Sequence, residues 1–276
     1  MSTVLYPAAS GSRRTATEAR MYTAGLVGPA LGGFLFGLGR AVPFAADAVS
    51  YLFSAGAVSR IRGKFRAGRS GERPALWREA IEGLHLVWRN QLLRTVIIEA
   101  PLVNFALTGA IFTITLALRR AGTAPGVIGL TQAGIMAGGL LGAVIAPKLQ
   151  GRLSLWHLVI AITTAGTVLL GVAAVVLPSP LVALPVAIPL LLAPTGNAAL
   201  IAAMLRATPE GMRGRVNSTI IVATTGLAAL APLTSGLLVE HVSGHWAMAA
   251  FAVAIGIAAI MCLVLPGYKN VSPARS

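Results

Sequence analysis

Read from charge to charge, the chain divides into long uncharged runs. Arg20 to Arg40 encloses 19 uncharged residues, and Arg40 to Arg60 encloses another 19 interrupted only by Asp47. Glu99 to Arg119 encloses 19 more, and Arg120 to Lys148 encloses 27. From Arg152 to Arg206 there are 53 residues without a formal charge, long enough for two crossings. Leu-Pro-Ser-Pro at 177–180 divides that stretch, because proline removes backbone donors and turns the chain. Arg215 to Glu240 and Glu240 to Lys269 supply the last two. At 1.5 Å rise per residue, about 20 residues cover the roughly 30 Å hydrocarbon core. The pattern predicts about eight transmembrane helices and an all-α membrane protein.

One polar segment differs from the short connections. Residues 60–74 form a basic, glycine-rich linker. After it, Ala80, Leu84, Val87 and Trp88 recur at helical spacing, with Glu79, Glu82 and Arg89 on other faces. This predicts an amphipathic helix on the inner membrane face, with Trp77 and Trp88 as interfacial anchors. The resulting boundaries are a cytoplasmic segment at 1–20, two spans within 21–59, the linker and its helix at 60–99, a six-helix bundle at 100–268 and a tail at 269–276.

Composition agrees. Only 11% of the residues are charged and 56% are apolar, with a mean hydropathy of +0.79. A soluble domain carries about 25% charged residues, so this chain lacks the polar surface to coat a water-soluble globule. The 31 glycines fit helices that approach closely in lipid. The single cysteine, Cys262, excludes a disulfide framework and a cysteine-based metal site.

The net charge of +14 would suit a nucleic-acid partner if it were clustered. It is spread instead. With a cytoplasmic N-terminus, segments 1–20, 60–99, 148–152, 206–215 and 268–276 hold 19 Lys and Arg, against three (Arg40, Arg119 and Arg120) outside. That bias places both termini in the cytoplasm and reads as topology, with no nucleic acid involved. Residues 1–20 lack the apolar run of a cleavable signal peptide.

Local motifs add a family resemblance. Gly28-Pro29-Ala30-Leu31-Gly32-Gly33 resembles the core of the antiporter motif in the fifth helix of drug exporters of the major facilitator superfamily. The segment 43–52, Pro-Phe-Ala-Ala-Asp-Ala-Val-Ser-Tyr-Leu, is similar to the start of the sixth helix in the enterobactin-exporter-like and macrolide-efflux-like branch. Residues 209–216, Pro-Glu-Gly-Met-Arg-Gly-Arg-Val, resemble that branch's loop between helices ten and eleven. The resemblance covers about residues 20–266 and implies helices 5–12 of the fold, without the first four. The signature loop between helices two and three has no counterpart. Its echo between helices eight and nine is reduced to Gly142, Lys148, Gly151 and Arg152, without an aspartate.

Each candidate residue has two readings. Gly28, Pro29, Gly32 and Gly33 are a bend that biases transport towards export, or plain close helix packing. Asp47 is the only carboxylate within an apolar run, where a charge costs about 3 kcal/mol. It is a proton carrier, or a residue near the outer interface in water. Asn104, Gln132 and Asn197 are cavity-lining amides or interhelical hydrogen bonds. Glu210, Arg213 and Arg215 form a cytoplasmic charge cluster, which in the family closes the inward side, or they anchor the loop to anionic lipid. Glu99 reads as an interfacial cap. His241 and His245 lie four apart, but Ser243 and Gly244 between them favour an outer turn over a metal site.

The expectation is therefore a transporter without cofactor or metal, held in the plasma membrane. It moves a small organic molecule such as an antibiotic or siderophore, with protons as the coupling ion. Two alternatives stand beside it: a non-transporting remnant or assembly partner that pairs with another chain supplying the missing helices, and, remotely, an intramembrane enzyme.

Overall fold

A computed structural model of the chain describes residues 35, 42–60, 76–149, 152–265 and 267–269. Every element among them is helical. In chain order these are α1 (Val42–Ser59), α2 (Leu76–Arg89), α3 (Gln91–Arg120), α4 (Pro125–Leu149), α5 (Leu155–Val176), α6 (Ala183–Leu190), α7 (Ala193–Ala207), α8 (Arg213–Ala228), α9 (Ala231–His241) and α10 (Gly244–Val264). Short 3-10 turns at Pro180–Val182 and Glu210–Met212 lead into α6 and α8.

Six segments among the described residues are long and apolar enough to cross a bilayer: α3, α4, α5, Pro180–Ala207, Glu210–His241 and α10. They match the last six expected spans. Of the two expected before them, the first lies outside the described residues except for Leu35, and the second is the 18-residue α1, which is not among the six.

Side-chain caps set several helix starts. The Asn90 side chain accepts hydrogen bonds from the backbone N–H groups of Leu92 (3.0 Å) and Leu93 (3.2 Å), satisfying donors that a helix start leaves open. Ser154 and Ser243 do the same for α5 and α10. The Asn90 cap moves one boundary. Sequence reading opens the third span after Glu99, whereas α3 starts about two turns earlier and takes Glu99 inside it. The cap replaces a charge as the start signal.

Two spans are broken. Pro180–Ala207 turns at Leu191 and Leu192, with Pro189 and Pro194 removing donors on either side. Glu210–His241 breaks at Ala229 and Leu230, just before Pro232.

Packing organises the bundle in two layers. One cluster joins Ile114 and Leu118 of α3, Ile128 of α4, Leu177, Val182, and Met248 and Phe251 of α10. The other joins Val87 of α2, Leu93 of α3, Leu155 of α5, Ala203 of α7, Val216 of α8 and Tyr268. Alternating helix ends meet in each cluster, as expected of spans that run up and down. Arg89, Arg94, Arg152, Arg206, Arg213, Arg215 and Lys269 lie around the second cluster, and Arg119 and Arg120 at the opposite end. The end that holds the second cluster is the basic face.

The helices touch through small residues. A Cβ on Gly138 would lie 2.1 Å from the Ala187 carbonyl oxygen, and one on Gly142 would lie 2.4 Å from that of Leu191. Backbone therefore packs on backbone where α4 crosses α6. A Cβ on Gly109 would strike the Phe251 ring at 2.2 Å, so α10 presses its phenyl onto α3 there. Large apolar side chains point outward instead: Val175 is 81% exposed and Val144 66% exposed. In water that would be costly, and in lipid it is the expected outer surface.

Gly138→Ala is predicted to destabilise the bundle by about 1–3 kcal/mol, the usual cost of forced overpacking. Gly171→Ala, where a Cβ meets nothing within 4 Å, is predicted to be neutral or stabilising by up to about 1 kcal/mol. Thermal unfolding of the purified variants in one detergent checks this. Equal melting temperatures for the two variants would show that α4 and α6 are not in close contact.

Candidate functional site

The linker helix α2 packs on α8. A Cβ on Gly83 would sit 2.9 Å from Thr219 Oγ1 and 3.1 Å from the Arg215 carbonyl oxygen, so glycine lets the helices meet closely. Val87, one turn along, is fully buried beside it. Trp77, Ile81, Leu84 and Trp88 fall on an adjacent stripe and are exposed, Trp77 at 80%. The expected amphipathic helix is present. The glycine–valine line holds the bundle, and the two tryptophans lie on the stripe it leaves open.

Glu82 lies on the same helix. Its Oε2 accepts from Arg215 Nη1 at 2.6 Å, an ion pair 133 residues apart in sequence. Arg213 Nη1 pairs with Glu210 Oε1 at 3.3 Å, and Arg213 Nη2 donates to the Leu205 carbonyl at 3.3 Å. Among the described residues, the expected cluster at the start of α8 forms ion pairs in two directions. Glu210 holds Arg213 locally, while Arg215 reaches the linker helix. Glu82 is the member that sequence reading missed as a partner. A cavity of about 80 Å³ lies beneath, lined by Met204, Leu205, Thr208, Arg213, Val216 and Asn217 among others.

The intramembrane polar residues behave differently from one another. Gln132 on α4 donates to Thr115 Oγ1 on α3 at 2.6 Å and joins the two helices. Asn104 is exposed and turns its amide back to the Ala100 carbonyl of its own helix at 2.9 Å. Asn197 is exposed on α7. Asp47 is exposed on α1, and its backbone carbonyl accepts the Ser50 hydroxyl at 2.8 Å. The structure does not gather these four into one cluster. Gly28, Pro29, Gly32 and Gly33 lie outside the described residues.

Glu99 departs most from expectation. It is 4% exposed and accepts a hydrogen bond from the Tyr268 hydroxyl, so it is no interfacial cap. The turn at 267–269 reaches it because Gly267 lies against α3, where a Cβ would stand 2.3 Å from Thr95 Oγ1. A visible signal was the capping asparagine at position 90, which starts the helix before Glu99 rather than after it. At the opposite end, Arg120 donates to the Val239 carbonyl of α9, while His157, at the start of α5 on the basic face, shares a 2.7 Å hydrogen bond with Ser154. Among the described residues no group of three or more His, Cys, Asp or Glu is placed to hold a metal ion.

This arrangement offers broken, glycine-packed spans, polar groups on several of them, and charge pairs at one membrane face. A family profile described as transmembrane secretion effector matches residues 20–273. No curated protein and no solved structure matches the chain. The profile covers the described helices and nearly the whole sequence. The chain belongs to the transmembrane secretion effector family of the major facilitator superfamily, and is a multi-pass membrane transporter of that type.

Proposed function

We propose that this chain exports a small organic molecule, such as an antibiotic or a siderophore, across the plasma membrane in exchange for protons. The family match over residues 20–273 carries the reading. The resemblance of Gly28–Gly33 to the exporters' antiporter motif supports the direction and the drug-exporting branch. Gln132 and Thr115 place a polar contact between α4 and α3, which supports a polar path between helices. The basic face is the cytoplasmic one, by the cation bias.

On this reading the α2–α8 contact latches the cytoplasmic side. Glu82 and Arg215 tie the linker to the start of a broken span, so the linker must follow whenever that span tilts. The exposed Asp47 on α1 favours a second arrangement of the same activity. A carboxylate facing lipid is costly, so α1 is covered in the working state by further helices, supplied by this polypeptide or by a partner chain.

Expression in an exporter-deficient host tests the function. The chain, confirmed in the membrane, is expected to lower the retained amount of an amphipathic fluorescent dye below the vector control. Asp47→Asn is expected to return it to the control level. Equal retention with and without the chain would sink export by this polypeptide.

A double-mutant cycle tests the latch. Glu82→Ala and Arg215→Ala are expected to couple by at most about 1 kcal/mol in thermal unfolding, because the pair is partly solvated. The reversed pair, Glu82→Arg with Arg215→Glu, is expected to recover export that either single reversal reduces. A reversed pair no better than the single reversals would show that the two side chains do not act together.

A further inference from the structure

Glu99 is a carboxyl group about 12 Å along the axis from the start of α3, within a 30-residue span. It is buried, and among the described residues it makes no ion pair. The nearby cation is engaged elsewhere: Lys269 donates to the Leu263 carbonyl at 3.1 Å and holds its ammonium 5.8 Å from the centre of the Trp156 ring. Among the described residues, the bond from Tyr268 is the polar contact that Glu99 makes. A charged carboxylate with one neutral donor in an apolar layer is poorly stabilised, whereas a carboxylic acid needs little more than that one partner.

The surroundings explain why the two residues meet. Gly267 seats the turn on α3, with the Gln91 carbonyl oxygen 2.7 Å and Thr95 Oγ1 2.3 Å from where a Cβ would stand. Cys262 of α10 is buried near both groups. The other elements of the cluster contribute Val87 from α2, Leu155 from α5, Ala203 from α7, and Val216 and Ile220 from α8, all apolar. Among the described residues, Tyr268, Cys262 and Lys269 are the titratable groups in electrostatic contact with this site. Burial, and after it the neighbouring Glu99, push the Tyr268 hydroxyl well above its ordinary range, so it keeps its proton.

We propose that Glu99 and Tyr268 form a proton-binding site at the basic end of α3, with the Glu99 carboxyl as the group that gains and loses the proton. On uptake, an O–H bond forms on the carboxyl and the negative charge is cancelled. The tyrosine O–H is not broken, and only its hydrogen-bond direction is free to change. Glu99 is tied to the turn at 267–269 through Tyr268, and its helix α3 shares one packed cluster with the linker helix and α8. Its role in transport rests on the proton-exchange reading above. Proton binding itself does not.

Infrared difference spectroscopy of the full chain in lipid vesicles, taken as pH is raised through the neutral range, tests the site without any transport. The expected result is a carboxylic-acid C=O band that fades as pH rises and is missing in Glu99→Gln. In Tyr268→Phe, which leaves Glu99 intact, the band is expected to persist at a shifted frequency, because the carboxyl has lost its partner. The proposal is overturned if Glu99→Gln removes no band, if the band does not change with pH, or if Tyr268→Phe leaves it unmoved. A titrating band in a chain that exports nothing would uphold the site and fail the transport reading.

Discussion

Backbone contact between helices is the constraint on which the rest of this structure depends. In lipid, apolar side chains gain little by leaving their surroundings for one another, so helices associate where they can approach closely. Gly138 and Gly142 supply that approach on α4, and the facing carbonyl groups of Ala187 and Leu191 lie on or beside the proline-broken α6. A side chain at either glycine would separate the two helices. The break at Leu191 and Leu192 is held in place by this contact, and α7 leaves it towards the basic face. The large aliphatic side chains that would fill a soluble core are left to line the outside.

The basic face is where this bundle becomes specific. Three segments that are not themselves spans converge there: the linker helix α2, the loop before α8 and the turn at 267–269. Each is fixed by a glycine that permits close contact or by a polar pair that crosses between elements. Gly83 and the Glu82–Arg215 pair hold α2 to α8, while Gly267 and the Tyr268–Glu99 bond hold the turn to α3. On the opposite face, Arg120 donates to the Val239 carbonyl and links α3 to α9. A transporter that opens alternately to its two sides needs one end where helix tilt is governed by separable contacts. Partly solvated pairs suit this because each contributes little.

Much of the fold was legible in the chain because charges mark where helices leave the membrane. Arg119, Arg120, Lys148, Arg152 and Arg206 bracket α3 to α7 closely, and Leu-Pro-Ser-Pro falls at the turn before α6. A charge marks no helix end where it is not at an interface. Glu99 opens an uncharged run and so looks like a border, although Asn90 caps the helix two turns before it. Arg215 and Glu82 could not be paired from sequence, since 133 residues separate them and only the packing of Gly83 on α8 brings them together. Asn104 shows the converse limit. An amide within a span has a carbonyl of its own helix in reach, so its presence does not mark a cavity. The glycine motif at 28–33 lies outside the described residues, and its reading rests on resemblance alone.

The proposed activity is exchange of a small organic molecule for protons. The most direct measurement uses the purified full chain in sealed vesicles, with an imposed pH gradient followed by an internal pH-sensitive dye. The account predicts that adding an amphipathic substrate speeds collapse of the gradient in vesicles holding the chain, but not in empty ones. A decay that is the same with and without substrate, in vesicles shown to contain the folded chain, would contradict it.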